Sequence, residues 1–398
     1  MSLFYEELKK IWQPVWVILL LLIGVIYYIG VVGGTGMEGS DLPQRLEVIE
    51  RFGPTLEADD IPVLLEMRED SLLALDAFLQ QMPEAKELGL TESDLYFQFV
   101  RGYDEAEGQV YDLESEKVIR TLTPNEMDSF RNLAYSVEQS NVHRLYAVLD
   151  GHIFRYMSPP NTQEEGYSSE EQLRLSELKE GPWSLFNRGT YEATTRYIQK
   201  LTPWVVLSVI LLLAPTYTRD LREKVRAMQW SSRWGRQVLH VQMAAGLVSA
   251  WILTMINVVV YSVVLASSGA LGFQDCPIFF RNGSSFPWFD LTYGQYLMIM
   301  AVLVSMLGIA AGALALFFSQ YSSSYVPMLL KAIPLFLIVG VLFGTWITKY
   351  TFFIRHGSDN SQFYIPKGIE AICVVLLLVL SLSLCVWTCF YQRRRELN

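Results

Sequence analysis

Residues 13–33 read Gln-Pro-Val-Trp-Val-Ile-Leu-Leu-Leu-Leu-Ile-Gly-Val-Ile-Tyr-Tyr-Ile-Gly-Val-Val-Gly, with no charge anywhere in the run. A helix needs about 20 mostly apolar residues to cross the hydrocarbon core of a bilayer, and this run has that length. It is too long for a signal-peptide core and lacks a small-x-small cleavage site, so it is expected to stay as an anchor. Five further runs have the same character, at 201–217, 239–266, 294–318, 326–349 and 368–391. The expected fold is therefore an all-α membrane protein with six transmembrane helices. The second run holds Pro203 and Pro215, and the fifth holds Pro327, Pro334 and Lys331. These two spans are expected to kink, tilt or sit shielded from lipid.

Charge divides the chain as sharply as hydropathy does. The 398 residues are 51% hydrophobic and only 18% charged, with a net charge of −10. Residues 34–200 hold 32 acids and 15 bases, a net of −17, while the other 231 residues hold 9 acids and 16 bases, a net of +7. This split excludes a single soluble globule and a disordered chain, and it argues against a nucleic-acid partner. Lys and Arg in short flanking loops set orientation. Lys9, Lys10, the six bases of the 218–238 loop and Arg393, Arg394 and Arg395 all fall on one side of a six-span arrangement. Both termini are thus expected in the cytoplasm and residues 34–200 outside.

The outer segment is expected to be mainly helical. Ile61, Leu64, Leu65, Leu72, Leu75, Phe78 and Leu79 recur at helical spacing. Thr123-Pro-Asn-Glu126 is a strong helix start with a capping box, and Thr91-Glu-Ser-Asp94 and Ser168-Ser-Glu-Glu171 are weaker ones. Asp150-Gly151 reads either as a hairpin turn or as a break between helices, with helices favoured. Tyr96, Phe97, Phe99, Phe130, Trp183 and Phe186 are candidates for its core. The −17 charge serves solubility or draws cationic peptides.

No reaction chemistry stands out. The chain contains no phosphate-binding G-x-x-x-x-G-K-[ST] loop, no H-E-x-x-H and no G-x-S-x-G. No catalytic, cofactor or metal residues are expected. His143 and His152 are not expected to share a metal. The four cysteines, Cys276, Cys373, Cys385 and Cys389, do not make a disulfide framework. Inside the spans, Asn257 is placed either to bond across helices or to line a path. Lys331 is expected to snorkel, and Glu370 to pair with Lys367 one helical turn away. Gly308-Ile-Ala-Ala-Gly312 and Gly340-Val-Leu-Phe-Gly344 let helices approach closely, within the bundle or at a subunit interface.

The most informative polar stretch joins the second and third spans: Arg219-Asp-Leu-Arg-Glu-Lys-Val-Arg-Ala-Met-Gln-Trp-Ser-Ser-Arg-Trp-Gly-Arg-Gln-Val-Leu-His-Val-Gln242. Taken alone it reads as a basic loop lying on anionic lipid, anchored by Trp230 and Trp234. Glu223 followed by Met228-Gln-Trp-Ser-Ser-Arg-Trp-Gly-Arg236 resembles the coupling-helix segment of ABC-2-type exporter permeases, with Ala227 where a glycine often stands. Arg51-Phe-Gly-Pro-Thr-Leu-Glu57 is similar to a phrase found in Gram-positive members that carry a large helical outer domain. The resemblance implies a subunit in a bacterial plasma membrane that exports a peptide, lipid or drug. Its ATPase would be a separate chain holding ATP and magnesium, consistent with the missing phosphate loop. That ATPase would grip Glu223, Arg226, Met228, Gln229, Trp230, Ser231, Ser232 and Arg233. Residues 1–12 would form an interfacial helix, and a second permease, identical or not, would complete the pathway. The rival reading is a membrane-anchored sensor or assembly factor without transport.

Overall fold

The computed structural model describes residues 3–33, 41–112, 115, 117–157, 169–181, 183–217, 235–278, 285–348, 353–355 and 367–395. The chain divides into two compact units. One comprises Met1–Glu38, Gln163–Glu177 and Phe186–Asn398; the other comprises Gly39–Thr162 and Leu178–Leu185.

The first unit holds six helices long and apolar enough to cross a membrane, so the chain is a multi-pass membrane protein. A short amphipathic helix, α1 (Leu3–Ile11), precedes the first span, α2 (Pro14–Tyr27), which continues through a π turn to Val32. The other spans run Arg188–Tyr217, Val238–Ser267, Tyr293–Gln320, Val326–Trp346 and Ile369–Tyr391. The second span starts well before the expected residue 201. One face of its polar opening turns is buried against neighbouring aromatic side chains, with Thr194 and Tyr197 almost inaccessible. Packing therefore carries the helix past the point where hydropathy alone ends it. The second span is also the centre of the bundle: 72% of its apolar stretch is buried, against 11% for the first span. The fourth span packs against the second, third, fifth and sixth.

The fifth span is not one regular helix. It runs as an α-helix over Tyr325–Leu335 and as a π-helix over Phe336–Phe343. Pro334 lies just before the change, and its missing N–H breaks the regular i→i−4 ladder. Lys331 does not point away from the bundle. Its Nζ donates to the Tyr321 carbonyl at 3.0 Å and to Ser322 Oγ at 3.2 Å, closing the C-terminal end of the fourth span with a cation. Lys367 does not pair with Glu370 either. It reaches Glu170 at 2.6 Å and lies over the Trp288 ring at 4.3 Å, while Glu370 is fully buried.

The second unit is mainly helical, with small antiparallel ribbons. Its helices include α3 (Leu42–Phe52), α4 (Ile61–Leu79), α5 (Pro83–Leu88), α6 (Ser93–Gly102), α7 (Pro124–Gln139) and α8 (Asn141–Met157). The periodic apolar face of α4 goes inward as its spacing requires, with Leu64, Leu75 and Leu79 fully buried. Each such side chain contributes about 1.5–3 kcal/mol. Two cores form. One gathers Leu75, Leu79, Tyr96, Phe99, Phe130 and Leu133, and the other gathers Val48, Leu64, Val148, Leu149, Ile153 and Trp183. Phe97 is only half-buried, stacking on Tyr146. Phe186 belongs to the membrane unit, where its ring meets Tyr293 at 4.8 Å.

Local starts and stops explain the remaining differences. The capping box forms at α7: Thr123 N–H donates to Glu126 Oε2 at 2.8 Å, and Glu126 N–H donates to Thr123 Oγ1 at 3.4 Å. The Thr123 amide and the Arg120 guanidinium beside it hold the Glu126 carboxyl down at about 2. Thr91 does not cap α6. Its first amide, Ser93 N–H, donates instead to Asp76 of α4 at 2.6 Å. Of the third start, Ser168 lies outside the described residues and the helix runs Ser169–Glu180. Asp150-Gly151 neither turns nor breaks; α8 runs straight through it, and the Asp150 carboxylate meets Arg68 at 2.7 Å. A three-stranded ribbon, Tyr103–Asp104, Gln109–Tyr111 and Val118–Thr121, was not expected from the sequence. It needs Gly102, because a Cβ there would come 2.2 Å from the Tyr111 carbonyl oxygen.

Candidate functional site

The polar chemistry inside the membrane unit centres on Trp204, which directly follows Pro203 on the second span. Trp204 Nε1 donates to Asn257 Oδ1 at 2.9 Å. Asn257 Nδ2 donates in turn to Ser208 Oγ at 3.1 Å and to the Leu253 carbonyl at 3.0 Å. The amide thus spends both its acceptor and its donor between the second and third spans. The first span leans on the same tryptophan: Tyr27 stacks on it at 5.4 Å, and a Cβ at Gly24 would lie 2.8 Å from its ring. Asn257 also borders an apolar groove of about 400 Å³ among the first three spans. Trp204 and Ser208 were not singled out in the sequence, because Trp204 is the fourth residue of the expected 201–217 run, where a tryptophan reads as an ordinary interface anchor.

Replacing Asn257 by leucine is expected to lower the melting temperature of the detergent-solubilised protein, at a cost of about 1–2 kcal/mol, because the Trp204 N–H loses its acceptor in an apolar setting. An unchanged or raised melting temperature would contradict this structural role and favour the path-lining one.

The two small-residue motifs pack inside the chain. A Cβ at Gly308 would come 2.5 Å from Thr254 Oγ1, and one at Gly312 would come 2.5 Å from Ala250 Cβ and 3.0 Å from Val209 Cγ1. A Cβ at Gly340 would lie 3.4 Å from Pro203 Cα, and one at Gly344 would lie 2.9 Å from Thr202 Cβ. Both glycine pairs therefore seat the second span, and the first pair also seats the third. Glycine keeps these crossings close because every other residue carries a Cβ.

At the other end of the third span, α1 is docked rather than free. Glu7 is 3% exposed. Its two oxygens take Lys10 Nζ at 2.6 Å and Gln242 Nε2 at 3.2 Å. Trp12 Nε1 donates to Ser249 Oγ at 3.0 Å. Glu7, Trp12, Gln242 and Ser249 together tie the N-terminal helix to the first turns of the third span, which follow directly on the 218–234 connection. Glu223, Arg226, Met228, Gln229, Trp230, Ser231, Ser232 and Arg233 themselves lie outside the described residues.

A larger cleft, about 660 Å³, opens among the second, third and fourth spans at the end that carries the connection between the third and fourth. Beside it a tyrosine cluster closes the bundle: Tyr197 donates to the Tyr261 carbonyl at 2.8 Å, and Thr194 Oγ1 and the Tyr293 hydroxyl are 2.7 Å apart. Cys276 is fully buried in this region, and burial, with Asp275 adding to it, pushes its thiol up to about 12. Such a thiol is no nucleophile. Among the described residues, no three of His, Cys, Asp and Glu come together as a metal site. His143 and His152 share a helix but face different groups, Phe97 for the first and the buried core for the second. No protein-family model matches the chain, and neither a curated protein nor a solved structure does.

Proposed function

We propose that the chain is the membrane-spanning subunit of an ABC-2-type exporter, with both termini and residues 218–238 in the cytoplasm and the acidic segment outside. Its partners are a separate ABC ATPase and a second permease. The observation that carries the reading is the sequence Met228–Arg236 between the second and third of six spans. The docking of α1 on the third span through Glu7–Gln242 and Trp12–Ser249 supports it. A push on the connection would reach the third span and α1 together. It would pass to the second and fourth spans through the tight glycine crossings at 308 and 312. Packed elements of this kind move as units rather than deforming.

Mild-detergent purification from native membranes, with mass spectrometry of what co-elutes, tests the reading. A stoichiometric chain with a phosphate-loop ATPase domain is the expected result, and a second permease in the same peak would define a heterodimer. A peak of this chain alone, even with nucleotide trapped, would favour the sensor or assembly reading. The double substitution of Trp230→Ala with Arg226→Ala is expected to cut the co-eluting ATPase roughly tenfold, since buried Trp and Arg dominate such contacts. The protein should stay in the membrane. Retention of the ATPase at the original ratio would remove the 220–232 segment from the contact.

A further inference from the structure

The cleft among the second, third and fourth spans is amphipathic along its length. Its deep wall is made of Leu201, Val258, Met300 and Val304, and its mouth carries Gln274, Asp275, Thr292 and Gln295. From Thr292 to Val304 the fourth span rises about 18 Å, so the cleft offers an aliphatic slot ending in a polar rim. Its volume of about 660 Å³ lies in the range of small-molecule sites.

The rim selects by charge. Asp275 is the one carboxylate in the lining and is exposed. It has no ion pair among the described residues, whereas Asp290 is met by Arg174 and Glu170 by Lys367 in the same unit. The helix N-terminus beside it holds no anion site, because its first four amides are already taken. Tyr293 N–H donates to the Cys276 carbonyl, Gly294 N–H to the Gln274 carbonyl, Gln295 N–H to Thr292 Oγ1 and Tyr296 N–H to the Thr292 carbonyl. An anionic head would meet a carboxylate of like charge and no cation in the lining. A cationic head would find a carboxylate with two side-chain amides beside it.

We propose that this cleft binds a single-headed amphipathic amine, its aliphatic chain lying against Leu201, Val258, Met300 and Val304 and its ammonium group held by Asp275. The occupant is a free amphiphile that enters from the membrane. The site stands on the cleft alone and is independent of the exporter reading.

Full-length protein in a neutral maltoside detergent is titrated with dodecylamine, and bound adducts are counted by native mass spectrometry. One saturable adduct is expected. Asp275→Asn should weaken it about tenfold, the scale of a lost charge-assisted hydrogen bond. Met298→Trp, filling the mouth from a residue that is 65% exposed, should weaken it similarly. Dodecanol should bind wild type and Asp275→Asn alike, and dodecanoate should bind the wild type more weakly than the amine. Equal amine binding by wild type and Asp275→Asn, with both eluting as the intact protein, would overturn the proposal. So would a phosphatidylethanolamine that co-purifies at one per chain and is not displaced by the amine.

Discussion

Replacing Gly312 by leucine is expected to abolish the monodisperse full-length protein, with aggregated or degraded material in its place. The position has no room. Even a single added carbon would sit 2.5 Å from Ala250 Cβ and 3.0 Å from Val209 Cγ1, on two different spans. Gly312→Ala alone should cost about 2 kcal/mol through forced separation of the helices. The four-carbon side chain of leucine would need the second and third spans to move apart, and with them the Trp204–Asn257 contact. Val302 on the same helix is 51% exposed on the apolar face of the span, so Val302→Leu should leave elution and melting temperature unchanged. Fluorescence-detected size-exclusion chromatography of the three variants reads the difference. A sharp peak for Gly312→Leu at the wild-type position would show that the crossing is looser than described.

Acid should loosen the Gly39–Thr162 unit through His152, starting well above the pH at which carboxylates titrate. His152 is 2% exposed, and burial, with Arg45 and Arg155 adding to it, pushes its imidazole down to about 3. In the unfolded chain the group takes a proton near its ordinary value of 6.5. Protons therefore favour the unfolded chain as pH falls from 6.5 toward 3, and stability is lost across that window at about 1.4 kcal/mol per pH unit. Glu126 acts in the same direction but only from 4.5 down to about 2, so it does not mask the upper part. Hydrogen exchange of α4 and α8 peptides in the full-length protein, corrected for intrinsic rates, should show protection falling roughly fivefold between pH 6.5 and 5.5. In His152→Leu that slope should flatten, leaving the contribution of His143, which burial also pushes down. A wild-type protection that stays level from pH 7 to 5 would contradict a neutral buried imidazole.

Legibility followed the range of the interaction. The α7 start was readable because Thr123 and Glu126 satisfy each other within four residues. The α6 start was readable in place, at Thr91–Asp94, but its cap was not, because that is Asp76, seventeen residues away on another helix. Lys367 was assigned the local partner Glu370 and found Glu170 instead, and the end of the fourth span that Lys331 reaches could not be named from the sequence. Asn257 stood out as a polar residue in a span, yet its partners Trp204 and Ser208 sit some fifty positions earlier. The cleft and its Asp275 belong to no motif at all, since its wall and rim come from three helices and a connection.

What the sequence by itself determined was the six-span membrane class, because a helix that crosses a bilayer needs a long apolar run whose backbone groups are satisfied within the segment. It also determined the separation of an acidic segment from a basic, apolar remainder. Only the tertiary structure decided where the second span begins, which faces the glycine pairs meet, and how Glu7 comes to be buried beside Gln242. Hydropathy prices a residue against lipid or water one position at a time. Those outcomes depend on which other helix arrives next to it, and helix pairing in a bilayer is set by shape and hydrogen bonds rather than by apolarity.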